Sequence, residues 1–181
     1  LKVRASGRSQ SDMIEALGGT AVGLAFGEVV PALEKGVVDC AITGALSGNL
    51  AKWHQATTHL YPLPVSWAIT FVAANQDFWN GLDPAVQAFL ETEIAAWEDR
   101  AWESGRSETN DGISCNTGGD CVDGAAADMT LIPVQDSDYE TVRTIMKDVV
   151  VPRWAERCGA ECAASWNETA GQVLNLVAPT E

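Results

Sequence analysis

Residues 21–44 read AVGLAFGEVVPALEKGVVDCAITG, and this stretch decides the fold. Val22 and Leu24 stand two apart and so share one face of a strand. A turn at Phe26-Gly27 follows, and then Val29, Leu33 and Val37 recur every fourth residue, the spacing of a helix laid against a sheet. Gly36 can adopt the left-handed conformation that closes many helices. Val37, Val38, Cys40, Ala41 and Ile42 then form an apolar run interrupted by Asp39, as in an interior strand of a parallel sheet. The run ends at Thr43-Gly44, where the carboxyl end of a strand would offer a hydroxyl to a crevice.

Upstream, Leu1–Ala5 alternates like a strand, with Leu1 and Val3 on one face and Arg4 on the other. Gly7–Gln10 turns into a helix, with Ser9 or Ser11 available as caps. Met13, Ile14 and Leu17 form its apolar face, and Gly18-Gly19 end it. The order strand, helix, strand, helix, strand predicts right-handed parallel crossovers. Crevices in such sheets open at the carboxyl ends of strands, which gathers Arg4, the Phe26 turn and Thr43 at one edge.

The motifs of this region recur in a known order. Arg4 in LKVR, Ala25-Phe26-Gly27-Glu28-Val29, ALEKGVVD, and the Phe78-Trp79 to Val86-Gln87 segment together resemble the second half of a TRAP-transporter substrate-binding protein of the DctP type. The resemblance runs from Leu1 to about Gln87 and more loosely to the C-terminal helices. It implies a periplasmic-binding-protein-like α/β lobe with a mainly parallel sheet flanked by helices, a long bracing helix, and C-terminal helices. It also implies that the first half of a two-lobed protein is missing from this sequence, which starts at Leu1 without an initiator Met.

The remainder of the chain fits that plan. Val65–Ala74, VSWAITFVAA, reads as one long strand rich in β-branched and aromatic residues, suited to a hinge between lobes. Phe78-Trp79 reads as a helical turn plugging the core. Asp83-Pro84 opens a helix, and Val86, Leu90, Ile94, Trp97 and Ala101 carry one stripe along it towards Asn110. The acids Glu91, Glu93, Glu98, Asp99 and Glu103 mostly fall off that stripe, as on a solvated face. Gly, Asp and Cys fill 114–127, expected as a surface loop, before a strand at Met129–Val134. Ser137-Asp138-Tyr139-Glu140 patterns as a capping box, and Pro152 should kink or restart the helix that it opens. The expected units are 1–82 for the lobe with a hinge strand near 65–75, 83–113 for the bracing helix, and 114–181 for the remaining loop, strand and helices.

Composition narrows the function. A formal charge of −14, with 11 Lys plus Arg scattered along the chain, excludes a nucleic-acid partner of ordinary type. No apolar run is long enough to span a membrane as a helix. Five cysteines include two close pairs, as in an oxidising compartment. We expect Cys115 bonded to Cys121 and Cys158 to Cys162, with Cys40 a buried free thiol. The C-x5-C and C-x3-C spacings match no common zinc site, and no metal or cofactor is expected.

Arg4 is the sharpest functional candidate. A strand-end Arg can grip a carboxylate through two parallel bonds, although an Arg on a surface acid is the plainer reading in so acidic a chain. The resemblance implies that Arg4 pairs with the ligand's carboxylate, that Phe26 packs on its carbon skeleton, and that Ser66 and Trp67 border the pocket. Phe26 reads equally as a staple to the helix after it, and Trp67 as core. Thr43 departs from the family, where Asn is usual. Arg8 is a second cation in the turn, and His54 and His59 are wrongly spaced for a shared helix face. Asn167-Glu168-Thr169 fits a glycosylation sequon. No catalytic fingerprint is present. The expected function is capture of a small organic carboxylate for TRAP permease subunits. The rival readings are an enzyme acting on a carboxylic acid, with Cys40 or Asp39 beside Arg4, and a sensor's ligand module.

Overall fold

The computed structural model describes residues 1–180. Three short strands, β1 (Lys2–Ala5), β2 (Thr20–Gly23) and β3 (Cys40–Ala41), form a parallel sheet in the order β2-β1-β3. Arg4 pairs in register with Val22 on one side and Ala41 on the other, so it lies on the central strand. Helix α1 (Arg8–Ala16) joins β1 to β2 and buries Met13 and Ile14, as the apolar spacing predicts. A 3-10 turn at Phe26–Glu28 leads into α2 (Val29–Glu34).

The ends of α1 and α2 show why the glycines are there. Gly18 and Gly36 take φ of 80° and 65°. Gly36 N–H donates to Leu33 (3.1 Å) and Val37 N–H to Ala32 (2.9 Å). This pair of bonds caps the last carbonyls, and a side chain with a Cβ would be strained at that φ. The cap also corrects the reading of Val37, which belongs to the turn and is exposed, while Val38 is buried and the strand begins only at Cys40.

Helix α3 (Ala45–Leu50) follows β3, and a 3-10 turn at Trp53–Gln55 follows α3. β4 (His59–Leu60) pairs in parallel with β5 (Thr130–Leu131), far on in the chain. The expected strand at Val65–Ala74 makes no ladder among the described residues, and Trp67, Ile69, Phe71 and Val72 are exposed. Its residue types favour an extended backbone, but a strand also needs a neighbouring strand to bond, and among the described residues none pairs with it. Phe78, expected in the core, is likewise exposed on α4 (Gln76–Asn80).

Helix α5 (Pro84–Gly105) starts as read, with Asp83 accepting the Ala85 N–H at 2.8 Å. None of its residues is buried, although the apolar stripe is there. The helix stops at Gly105, and α6 (Glu108–Asn116) restarts after a break at Arg106-Ser107. The region expected as a surface loop at 114–127 therefore begins inside a helix, with Cys115 and Asn116 buried. α6 packs on α3 so closely that a Cβ at Gly112 would collide with the backbone of Leu46.

Both expected disulfides are present, Cys115–Cys121 and Cys158–Cys162, and Cys40 is free but only half-buried. Helix α7 (Asp136–Ile145) runs through a π turn at Met146–Val150 into α8 (Val151–Cys158). Pro152 has no N–H to donate to the preceding turn, and the helix widens there instead of breaking. Asp138, at the third position of α7, accepts the Gln135 N–H at 2.7 Å, so the cap sits two residues before the expected Ser137. α9 (Ala160–Glu168) and α10 (Ala170–Leu174) finish the chain, with Val151, Ala155, Ala163 and Ala178 forming a small core under Trp154, Trp166 and Leu176. Asp12 on α1 holds this C-terminal unit to the lobe through Arg153 (3.2 Å) and Arg157 (2.8 Å).

Candidate functional site

Alternation along β1 turns Arg4 into the crevice at the carboxyl end of the sheet, where it is only 5% exposed. Its Nε donates to the Leu24 carbonyl (3.2 Å) and its Nη1 to the Ile42 carbonyl (3.0 Å). These two carbonyls come from the segments after β2 and at the end of β3, so the outer strands fix the guanidinium of the middle one. The guanidinium carbon lies 6.0 Å from the Phe26 ring centre and 5.8 Å from that of Trp53. The two rings touch each other at 5.3 Å between centroids, tilted by 38°.

The cation is therefore held by two carbonyl oxygens and two ring faces, and among the described residues no ion pair involves it. An Arg carries five N–H donors, so the carbonyls leave several free for another acceptor. Removal from water lowers the Arg4 pKa from its ordinary value, because burial disfavours the charged form. Arg nevertheless stays charged in proteins. The surface-acid reading of Arg4 is excluded by this arrangement.

Trp53 was not evident as a site residue in the sequence. It is 6% exposed, and its indole Nε1 is buried without a partner. Gly48 lies beside it: a Cβ there would press on Thr43 Cγ2 at 3.0 Å and make only ordinary contact, 3.7 Å, with Trp53 Cε3. The one available signal was a Trp placed just after a short helix, at the far end of the crevice. Phe26, half exposed, lies between the two sequence readings of it, since it touches both the cation and Trp53.

Beside Phe26 lies an open hollow of about 480 Å³ lined by Phe26, Thr43, Ser47, Leu50 and Ala51. The structure thus brings Phe26 and Thr43 to one hollow, while Arg4 lies against Phe26 and is not part of the lining. Ser66 is attached more loosely, through a 3.4 Å bond from Gln10 Nε2, while Gln10 Oε1 accepts from Ser6 N–H (2.9 Å) and Ser6 Oγ (3.0 Å). Trp67 is 92% exposed and outside the hollow, and it is not part of a core either. A larger hollow of about 640 Å³ sits at the break between α5 and α6, among Arg100, Glu103, Ser104, Arg106, Ser107 and Asn110. It is an open surface feature framed by exposed side chains, with Arg106 already 3.5 Å from Glu103.

The other candidates fall to ordinary roles. Burial pushes the Cys40 thiol pKa up, and the charge of Asp39 adds to that, so its thiolate is suppressed. His59 Nδ1 shares a 2.8 Å bond with Thr58 Oγ1. Asn167 of the sequon is occupied with Ala178, donating to its carbonyl (2.9 Å) and accepting its N–H (2.8 Å). No cluster of metal-binding side chains occurs among the described residues.

A parallel α/β lobe with a buried cation beside aromatic faces at its strand ends has the architecture in which ligands are met at the carboxyl ends of strands. The chain belongs to the bacterial extracellular solute-binding proteins of family 7, the DctP family, whose pattern matches residues 1–154. No curated protein sequence matches it. Among solved structures it is similar to a TRAP periplasmic solute-binding protein of Desulfovibrio salexigens with bound orotic acid, at 18% identity and a TM-score of 0.73, covering 95% of this chain and 54% of that one. It is also similar to the periplasmic ectoine-binding protein of the TeaABC TRAP transporter of Halomonas elongata, at 18% identity and a TM-score of 0.65, covering 96% and 52%. A third likeness is a TRAP periplasmic solute-binding protein of a Sulfitobacter species with bound β-D-galacturonate, at 19% identity and a TM-score of 0.56, covering 92% and 52%. The chain spans about half the length of these solved relatives. All three are named as binding proteins.

Proposed function

We propose that this chain is the C-terminal half of a periplasmic solute-binding protein that captures a small organic carboxylate for TRAP-type permease subunits. The observation that carries the proposal is Arg4, a buried cation with ring faces and carbonyls around it but no carboxylate. A charge removed from water is costly until an anion meets it. The Leu24 and Ile42 carbonyls already fix the guanidinium, so an anion meeting its remaining N–H groups would bind with a smaller ordering cost. The carboxylate would lie on Arg4, its carbon skeleton on Phe26, and the hydroxyls of Thr43 and Ser66 would orient it. Binding would be capture alone, with no bond made or broken.

A second lobe completes the site in this reading. The unpaired 65–74 segment and the uncovered stripe of α5 are the surfaces on which it would rest, with the lobes closing about the 65–75 hinge. The relatives' bound orotate and galacturonate are carboxylates, which supports the assignment of ligand chemistry.

The test is a thermal-shift and calorimetric screen of organic acids against the full-length protein, with Arg4→Gln and Arg4→Lys beside wild type. Losing one partner of a desolvated charge pair costs about 2–5 kcal/mol, or roughly 30- to several-thousand-fold in Kd. A folded Arg4→Gln protein that binds the same acid as tightly as wild type would exclude the proposal. This 181-residue chain alone, with half a site, is expected to bind weakly or not at all.

A further inference from the structure

We infer that Trp53 is a positioning residue for the anion site: together with Phe26 it sets the Arg4 guanidinium in place for a carboxylate, without touching the ligand itself. The inference rests on the reading of Arg4 as the carboxylate anchor and adds the side chain that stands behind it.

Three residues far apart in the chain meet at this point. The Arg4 guanidinium carbon stands over the Trp53 ring at 5.8 Å and over the Phe26 ring at 6.0 Å. The two rings are in contact with each other, 5.3 Å between centroids. Trp53 is buried and lies outside the hollow, whereas Phe26 lines it and is 43% exposed. Trp53 thus backs both the anchor and the ring on which a ligand's carbon skeleton would rest. An aromatic face attracts a cation through its quadrupole and, unlike a carboxylate, leaves the charge unneutralised. A guanidinium held in this way keeps its charge for an anion, and less of its motion has to be frozen on binding.

The local backbone is arranged to bring the indole there. Lys52, just before Trp53, takes a φ of 62°, a left-handed conformation that disfavours a residue with a Cβ. The Trp53 carbonyl then accepts from Ala56 N–H (2.9 Å) and Thr57 Oγ1 (2.9 Å), which fixes the turn. Filling this space does not by itself call for an indole. The Nε1 is buried with no partner among the described residues, and a Phe or Leu would bring no such donor. What a Trp adds is the ring face with the strongest attraction for a cation.

The experiment is calorimetry on the full-length protein with orotate, galacturonate, succinate and pyruvate, for wild type, Trp53→Phe, Trp53→Leu and Arg4→Gln, each with its melting temperature. The indole signals of isotope-labelled tryptophan are followed by NMR in the same titrations. Trp53→Leu is expected to weaken whichever acid binds about tenfold, and Trp53→Phe, which restores a ring, only about two- to threefold. The wild-type Trp53 indole signal, assigned through Trp53→Phe, is expected to move on titration with that acid and to stay still in Arg4→Gln. Equal affinities in Trp53→Leu and wild type, losses in the two Trp53 variants that simply follow melting temperature, or an indole signal unmoved at saturation would overturn the role of Trp53. If Arg4→Gln still abolished binding in that case, the anchor would stand. Should Trp53→Leu fail to fold, the wild-type indole signal decides alone. Binding that persists in Arg4→Gln, or no binding by any of the four acids, would overturn both.

Discussion

Replacing Asn49 tests the frame on which the hollow is built. Asn49 lies on α3 between Ser47 and Leu50 and is fully buried. Its Nδ2 donates to Asn116 Oδ1 (3.0 Å) and to the Ala125 carbonyl (2.8 Å), and its Oδ1 accepts the Ala125 N–H (2.7 Å). The side-chain amide thus pairs with Ala125 as a neighbouring strand would, fastening the segment after Cys121 to α3. Asn49→Ala removes all three bonds and strands a peptide group and an amide oxygen. At about 1 kcal/mol net per bond the loss is about 3 kcal/mol, rising to about 5 where water cannot enter. For a chain of this length that corresponds to a fall of roughly 6–12 °C or more in Tm.

Asn49→Asp sharpens the test. One carboxylate oxygen could still accept from Ala125, but the other would face two acceptors, Asn116 Oδ1 and the Ala125 carbonyl. Asn116 cannot turn its amide round to help, because its Nδ2 already donates to Ala45 (3.0 Å) and Gly112 (2.7 Å). Burial would raise the folded-state pKa of the new acid. Its stability should therefore match a neutral side chain below the unfolded value of about 3.9 and fall as pH rises above it. The assay is circular-dichroism melting from pH 4 to 7, each variant against wild type at the same pH. Asn49→Ala within about 0.5 kcal/mol of wild type would refute the reasoning, since water would then be doing the work assigned to the amide.

Removing the Cys115–Cys121 bridge by a double Ser substitution should cost about 2 kcal/mol by loop entropy for so short a loop, and an unchanged Tm would contradict this. Asp12→Asn should loosen the C-terminal helices by about 1 kcal/mol at low salt and by less in 1 M NaCl, so a salt-independent loss would argue against the Arg153 and Arg157 pairing. The hydrogen bond to Asp138, reinforced by burial and charge, pushes the Tyr61 pKa up to about 12, and the same bond holds Asp138 below its usual value. Their joint contribution should be present at neutral pH, fade as pH falls through the depressed Asp138 value, and fade again between about 10 and 12; spectrophotometric titration that finds Tyr61 ionising near 10 would exclude the bond. Ile69→Lys with Phe71→Lys should reduce hydrophobic-dye binding by the isolated chain without lowering its Tm, whereas a melting loss would show that the ribbon packs on something within the chain.

The clearest local signals concerned chemistry that acts over a few residues. Gly18, Gly36, Asp83-Pro84 and Pro152 each carry a conformational consequence in their own covalent structure, and each end or start appears close to where its residue stands. The close cysteine pairs bond as favoured, although four cysteines allow three connectivities and the sequence alone did not choose among them. The reading went astray where an outcome depended on a distant neighbour. Val65–Ala74 has the composition of a strand and no strand to bond to. The α5 stripe is present and uncovered, and Trp67 projects from the surface.

The site divides in the same way. Arg4, Phe26 and Thr43 were legible because strand alternation and parallel connections send the carboxyl ends of β1, β2 and β3 to one edge. Trp53 was not legible, because its place against Arg4 depends on the turn after α3 bringing it back to the sheet edge. Nor could any pattern show that Asn49 and Asn116 would meet, 67 residues apart. Sequence by itself determined the helix boundaries marked by Gly18, Gly36 and Asp83-Pro84 and the parallel α/β order, which are consequences of backbone geometry and short-range periodicity. Only the tertiary structure decided that the cation is free of any acid and flanked by two rings, because burial and counter-charge are properties of neighbours brought together by folding.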